Sequence, residues 1–334
     1  MAFRILSLDG GGIRGIIPTL VLAELERRTG RPAWTLFDLI AATSTGGILA
    51  LGLSKRKGRT KKAQFRAEDL VTLYEEDGPR IFQRSVWHRV RSMGGVSEEK
   101  YPSHGVDGVL EEKFGAARLS EALVPVLVPA YDIEMRHPHF FKSQDAATKP
   151  DTKDFLMRDA ARATSAAPTY FEPALVQPLG GGDRLSLVDG GVYANNPAAC
   201  ALVECICDFN INPTDVIMLS LGTGELTRPI FHDEAKDWGL AKWAQPVLNV
   251  VFDGVSDTVD YQVGNILRSL SGESSYLRMQ TQLHEGNDDM DDAGSTNLRV
   301  LKLLAKELIR QHDKELDAMA ARLVAPGGST PKGS

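Results

Sequence analysis

The eighteen residues Leu36 to Leu53, LFDLIAATSTGGILALGL, constrain the fold of this chain more than any other stretch. The apolar run from Leu36 to Ala42 is short enough for a buried strand, and Ile48-Leu49-Ala50-Leu51 reads as a helix. Between them lies Thr43-Ser44-Thr45-Gly46-Gly47, a turn of small residues with Ser44 at its apex. A strand that reverses sharply into a helix pushes such a serine out of the sheet. The N–H groups behind it then lie at a helix N-terminus, where the dipole favours negative charge. Strand and helix nearly touch in this geometry, which Ala42 and Gly46 permit. The pattern is a nucleophile elbow, G-x-S-x-G, with Ala42 at the first glycine. On the pentapeptide alone, a serine capping a buried helix accounts for the residues equally well, so the rest of the chain must decide.

Phe3 to Leu8 reads as a strand, Asp9 to Gly15 as a tight loop, and Ile16 to Arg28 as a helix with an apolar stripe. With the elbow, this is the opening of a three-layer α/β fold. The spacing Gly10-x-Gly12-x-x-Gly15 also satisfies the first element of a dinucleotide-binding fingerprint. That fingerprint wants an acidic residue at the end of the next strand. Asp38 lies near its start instead, and the end carries Thr43-Ser44, so the second element fails. The remaining readings are a plain structural turn and an oxyanion hole, in which glycine N–H groups face the serine from the adjacent strand end. Arg14 would add positive charge to such a hole, or else form a surface salt bridge.

A chain of 334 residues with 43% hydrophobic and 25% charged residues has ample core for a soluble globular enzyme. Its net charge of −6 argues against a general nucleic-acid binder. Cys200, Cys205 and Cys207 crowd one helix and read as buried thiols of a reducing compartment. The N-terminus reads as free of a signal peptide, and no run of 18 apolar residues occurs, so a cytoplasmic protein is expected. Ser54 to Arg66 carries seven basic residues and no acid. It is a solvated loop or a patch for peripheral contact with anionic head groups. Arg80, Arg84, Arg89 and Arg91, interleaved with Ile81, Phe82, Val86, Trp87 and Val90, suit a lid or interfacial surface, with Met93-Gly94-Gly95 as hinge and Glu98 to Ser103 as loop.

Farther on, Val109 to Phe114 ends a helix. Val124 to Tyr131 reads as a strand whose Pro125 and Pro129 suggest an edge position or a short element. His137 and His139 alternate in the next strand, as a metal pair without a third ligand or as ordinary hydrogen-bonded histidines. Phe155 to Ala163 is an amphipathic helix, followed by small residues suited to tight packing. Leu185 to Val188 is a strand ending in Asp189-Gly190-Gly191. Its carboxylate is either a turn aspartate or a catalytic group at a strand's carboxyl end. Asp215 to Leu221 is another buried strand. Trp243 to Arg268 and Thr296 to Ala320 read as helices. Pro326 to Ser334 reads as a disordered tail, which leaves residues 1–325 as one domain.

Together these pieces resemble the patatin-like phospholipase family. Asp9 to Gly15 is similar to its D-G-G-G-x-R-G loop, Ser44 to its G-x-S-x-G nucleophile and Asp189-Gly190-Gly191 to its D-G-[AG] motif. The TSAAPTYF run at Thr164 to Phe171, the LSLGTG at Leu219 to Gly224, and Tyr276-Leu277-Arg278 with Met290-Asp291-Asp292-Ala293 are similar too. Ala42 departs from the family's usual glycine. The resemblance implies a three-layer α/β/α, lysophospholipase-like fold with a central, mostly parallel sheet. It implies an acyl-ester hydrolase of lipid degradation with a Ser–Asp dyad: Ser44 as nucleophile, Asp189 as base, and Gly10, Gly11, Gly12 and Thr45 holding the oxyanion. No metal or cofactor is implied, and the expected partner is a phospholipid or lysophospholipid. The order Ser44…Asp189…His also allows a triad using His232, His284 or His312. Three alternatives are an effector phospholipase switched on by a small-molecule activator such as a cyclic nucleotide, in antiviral defence; a nucleotide binder using Gly10 to Gly15; and a non-catalytic lipid binder.

Overall fold

Strand alternation divides the core in two. In β1 (Phe3–Leu8), Phe3 and Ile5 enter one apolar cluster and Leu6 and Leu8 another. In β2 (Leu39–Ala42), Leu39 and Ala41 join the first cluster, and Ile40 and Ala42 the second. Both faces of these strands are apolar, as a parallel sheet covered on both sides requires. The computed structural model describes residues 2–82, 101, 103–244, 246–284 and 289–325. The sheet continues with β3 (Val126–Asp132), β4 (His137–Lys142), β5 (Ala174–Val176), β6 (Leu185–Asp189), β7 (Val216–Leu221) and β8 (Tyr276–Met279). Its order is β5-β6-β3-β2-β1-β7-β8, with β4 added on β3. The pairs β1–β2, β1–β7, β2–β3 and β7–β8 are parallel; those of β3 with β4 and β6, and of β5 with β6, are antiparallel.

The helices used below are α1 (Ile16–Thr29), α2 (Thr45–Ser54), α3 (Met157–Thr164), α4 (Ala198–Cys207), α5 (Pro246–Ser271), α6 (Ser295–Gln311) and α7 (Asp313–Val324). Ala198, Ala201, Leu202 and Cys205 of α4, with Val263 and Leu267 of α5, close the first cluster. The second receives α1, α2, α3, α6 and α7. The architecture is therefore an α/β fold with helices on both faces of a mixed, mostly parallel sheet. Among the described residues, no helix is long and apolar enough to cross a membrane.

Three expectations need correction. β3 is neither short nor at an edge. Leu127 lies between Ala41 and Lys142, and Ala130 between Asp189 and His139. β2 and β6 thus meet end to end along one side of β3. Pro129, with no N–H to offer, falls where the strand changes partner. The helix read over Thr296 to Ala320 is two, broken at His312 (φ −103°, ψ 26°). The break lets Asp313 and Asp317 both reach Arg28, at 2.7 Å each. Of the three thiols only Cys205 is buried, while Cys207 is exposed. The Arg84 to Gly95 surface and the tail from Pro326 lie outside the described residues.

Candidate active site

Ser44 sits between β2 and α2 with φ 55° and ψ −124°, a backbone conformation that a residue with a Cβ adopts only under constraint. The constraints are visible. The Thr43 N–H donates to the Leu8 carbonyl (3.1 Å), and the Thr43 hydroxyl to the Ala194 carbonyl (2.6 Å). The Ser44 N–H donates to Oγ1 of Thr164 (2.9 Å), whose own proton goes to the Pro129 carbonyl (2.6 Å). A Cβ on Gly46 would lie 2.6 Å from the Leu8 carbonyl oxygen, so helix and strand approach as closely as backbones can. Ala42 is fully buried in the second core cluster, where its methyl is accommodated.

Asp189 ends β6 and is 2% exposed. Its Oδ1 accepts the Gly191 N–H at 2.7 Å, and it lines the same cavity as Ser44. Burial pushes its pKa up to about 7, against the opposing pull of the Ser44 side chain and the Gly191 N–H. Gly190 is required where it stands, since a Cβ there would meet the Pro129 carbonyl oxygen at 2.4 Å. His232 and His284 are exposed, and His312 Nδ1 lies against the Leu308 carbonyl. None of the three lines the cavity at Ser44.

The glycine loop passes beside both groups. The Gly10 N–H donates to the Asn195 carbonyl (3.0 Å), so it is a brace and not an oxyanion donor as expected. The N–H groups of Gly11, Gly12 and Thr45 have no partner among the described residues, and all three residues line the cavity with Ser44. A Cβ on Gly11 would lie 2.1 Å from Thr223 Oγ1, and one on Gly12 (φ 59°) 2.1 Å from the Met290 carbonyl oxygen. Arg14 is buried and turned inward, its Nε donating to the Gly11 carbonyl at 3.2 Å. Beneath the loop, Thr223 donates its hydroxyl proton to the Gly10 carbonyl (2.7 Å). Arg278 grips Asp9 through two hydrogen bonds (3.0 and 2.6 Å) and donates a third to Ser220 Oγ (2.9 Å). Burial raises the Asp9 pKa while the Arg278 charge opposes the rise.

A serine on a strained turn, a buried carboxylate and a glycine loop with N–H groups unpartnered among the described residues thus line one cavity. The family model for patatin-like phospholipases matches residues 6–202. The chain belongs to this family. Patatin-like protein 2 of Oryza sativa subsp. indica is 32% identical, over 97% of this chain and 88% of its own length. Patatin-like protein 2 of Arabidopsis thaliana is 33% identical, over 92% and 83%. "Probable inactive patatin-3-Kuras 1" of Solanum tuberosum is 31% identical, over 93% and 87%. Membership implies lipid acyl hydrolysis as the class of activity. That last relative's name makes the residues at the site, and not kinship, the test of turnover.

In this patatin-like protein the cavity above Ser44 encloses about 740 Å³, its open mouth included. Ile48, Leu73, Ile81, Phe82 and Phe171 give it an apolar wall suited to an acyl chain. Tyr74, in a π-helical segment (Leu73–Asp77), exchanges a 2.7 Å hydrogen bond with Thr45 Oγ1. Ile81 and Phe82 thus face the cavity, whereas Arg80 is bound outside by Asp77 and Glu112. The basic span forms a hairpin in which the Lys57 N–H meets the Lys62 carbonyl (2.8 Å); its tip is exposed, and Lys55 folds back over the Phe65 ring. His139 is packed edge-on against Phe141 and Phe155, and among the described residues no cluster could hold a metal ion.

Sequence reasoning missed the roles of Thr164, Asn195, Thr223 and Arg278. The first and the last two lie inside motifs quoted for the family resemblance, but nothing local says what each one touches.

Proposed function

We propose that this protein hydrolyses carboxylic ester bonds of phospholipid or lysophospholipid through a Ser44–Asp189 dyad. The observation that carries the reading is a buried carboxylate, its pKa raised to about 7, in one cavity with a serine on a strained turn. Asp189 takes the hydroxyl proton as Ser44 Oγ attacks the ester carbonyl, and the developing oxyanion is met by the N–H groups of Gly11, Gly12 and Thr45. Donors placed this way are worth about 3–4 kcal/mol each. Collapse of the tetrahedral intermediate expels the alcohol, which receives the proton from Asp189. Water, deprotonated by the same carboxylate, then hydrolyses the acyl-enzyme and releases the fatty acid. An aspartate with an ordinary pKa of about 3.9 would be a weak base for this task, and burial corrects that. The apolar wall holds the acyl chain, and the participating residues come from both ends of residues 1–325, which the proposal treats as one catalytic domain.

The test is labelling with a fluorophosphonate, read by intact mass, on wild type, Ser44→Ala and Asp189→Asn, with and without phospholipid vesicles. One adduct on wild type and none on Ser44→Ala is expected, with Asp189→Asn labelling far more slowly. An unlabelled wild type under both conditions, or an adduct that survives Ser44→Ala, would overturn the proposal.

A further inference from the structure

The segment joining β7 to α5 leaves the body of the protein beside the glycine loop and returns to it at the cavity above Ser44. It departs at Gly224 and Glu225, which share a small polar hollow with Asp9 and Arg14 of the glycine loop. Glu225 is still tied down, its N–H donating to Thr281 and its carbonyl accepting from Leu283 (2.8 and 3.1 Å). The return is in α5, where Phe252 lines the cavity above Ser44.

Between these roots the segment is an arm. Among described residues, every backbone hydrogen bond made by an N–H of residues 229–244 stays within it, as from Ala235 to Phe231 (3.0 Å) and from Trp243 to Gly239 (3.1 Å). Its apolar side chains face water: Leu240 is 94% exposed, Phe231 59% and, in the first turns of α5, Val250 52%. Ile230 and Val247 are exposed too, and Trp238 packs edge-on against Trp243 with ring centroids 5.1 Å apart. Apolar side chains grouped on one exposed arm mark an interaction site.

Two observations identify the occupant. Two cationic side chains on the arm (Lys236, Lys242) stand against three acidic ones (Asp233, Glu234, Asp237), so it offers no net positive charge to anionic head groups and attracts through its apolar groups. Its turns satisfy their own backbone and present no strand edge for another chain to pair with. Tryptophans beside fully exposed aliphatic groups are the composition of a membrane–water boundary. We infer that the arm 229–250 docks on a lipid bilayer, with Phe231 and Leu240 among the acyl chains and the cavity mouth at the head-group level. An acyl chain then passes from bilayer to cavity wall along α5 without crossing water. The inference rests on the acyl-hydrolase reading of Ser44 only in choosing a bilayer over another apolar partner. It assigns docking to the apolar arm and not to the basic Lys57–Lys62 hairpin.

The experiment is vesicle flotation of the Ser44→Ala full chain with and without Phe231→Glu/Leu240→Glu, on pure phosphatidylcholine, at low and high salt. Expected is partition that survives high salt, falls at least about tenfold in the double variant, and brings Trp238 and Trp243 within reach of a brominated-lipid quencher. With Ser44 restored, the double variant should hydrolyse a monomeric short-chain ester at the wild-type rate while losing turnover on vesicles. Unchanged partition in the double variant overturns the inference. So does partition that vanishes with salt or on charge reversal in the Lys57–Lys62 hairpin, and so does self-association of wild type that the double variant abolishes. Flotation is read on a chain that cannot turn over. A failed docking result therefore leaves ester hydrolysis standing, and an absent hydrolysis leaves the docking result standing.

Discussion

The tripeptide Asp-Gly-Gly occurs at the carboxyl ends of two strands of one sheet, at Asp9 after β1 and at Asp189 in β6, with opposite outcomes. Both carboxylates are buried, and burial raises the pKa of each. Asp9 faces a guanidinium, which engages both its oxygens and makes it a brace under the glycine loop. Asp189 faces only a hydroxyl and a backbone N–H, and is left poised to take a proton. Whether a buried carboxylate becomes a brace or a base is thus decided by the counter-charge brought to it, and not by its own local sequence.

The comparison breaks most sharply at Asp189. Asp189→Asn keeps the acceptor for Gly191 and removes the base, so turnover of a soluble ester should fall by about 10²–10⁴. The same residue makes activity and stability move oppositely with pH. With a native pKa near 7 against an ordinary 3.8, the folded protein keeps a proton that the unfolded chain has released. Stability is therefore lost as pH rises from about 4 through about 7, while kcat/KM rises through about 7 as the carboxylate ionises. Melting curves should show Asp189→Asn stabilised over wild type at about pH 8 and not at about pH 4. Equal melting temperatures at both would remove the burial argument.

The mirror experiment is Asp9→Asn, which strands the Arg278 charge. Unfolding by denaturant should show a loss of about 3–5 kcal/mol, partly restored by adding Arg278→Gln. If Asp9→Asn were neutral, the pair would not be the brace described. Thr164→Val leaves the Ser44 N–H and the Pro129 carbonyl without their shared partner. A buried group unsatisfied in this way costs about 1–3 kcal/mol, so kcat should drop roughly tenfold with the fold retained by circular dichroism. The smallest effect is expected for Ala42→Gly, a loss of about 0.5–1 kcal/mol in stability with esterase turnover nearly unchanged. A large loss of turnover would show that the buried methyl of Ala42 helps to shape the elbow.

What was legible in the sequence follows the same division. The elbow, the strand before Asp189 and the glycine loop are local patterns: periodicity and small residues point to them because sterics act between near neighbours. Thr164, Asn195 and Arg278 act on residues 120, 185 and 269 positions away, and a side chain's partner at such a distance is set by the strand order. Gly10 illustrates the limit: its place in the loop is readable, but that its N–H is taken by Asn195 is not. Pro129 misled in a different way. A missing donor usually means an edge, yet here it marks the point where one neighbour gives way to another. Nothing such as glycine or proline announces the break at His312, which lets Asp313 and Asp317 both reach Arg28.

The register of β1 with β7, and of β7 with β8, has a consequence for the order of synthesis. The ribosome delivers the glycine loop first, the serine soon after and the aspartate at mid-length, but the guanidinium that fastens the loop emerges only with residue 278. A chain stalled before β8 carries both Ser44 and Asp189 beside a loop whose buried Asp9 still lacks its cation. The emergence of β8, and not the arrival of Ser44 and Asp189, is what fastens the glycine loop.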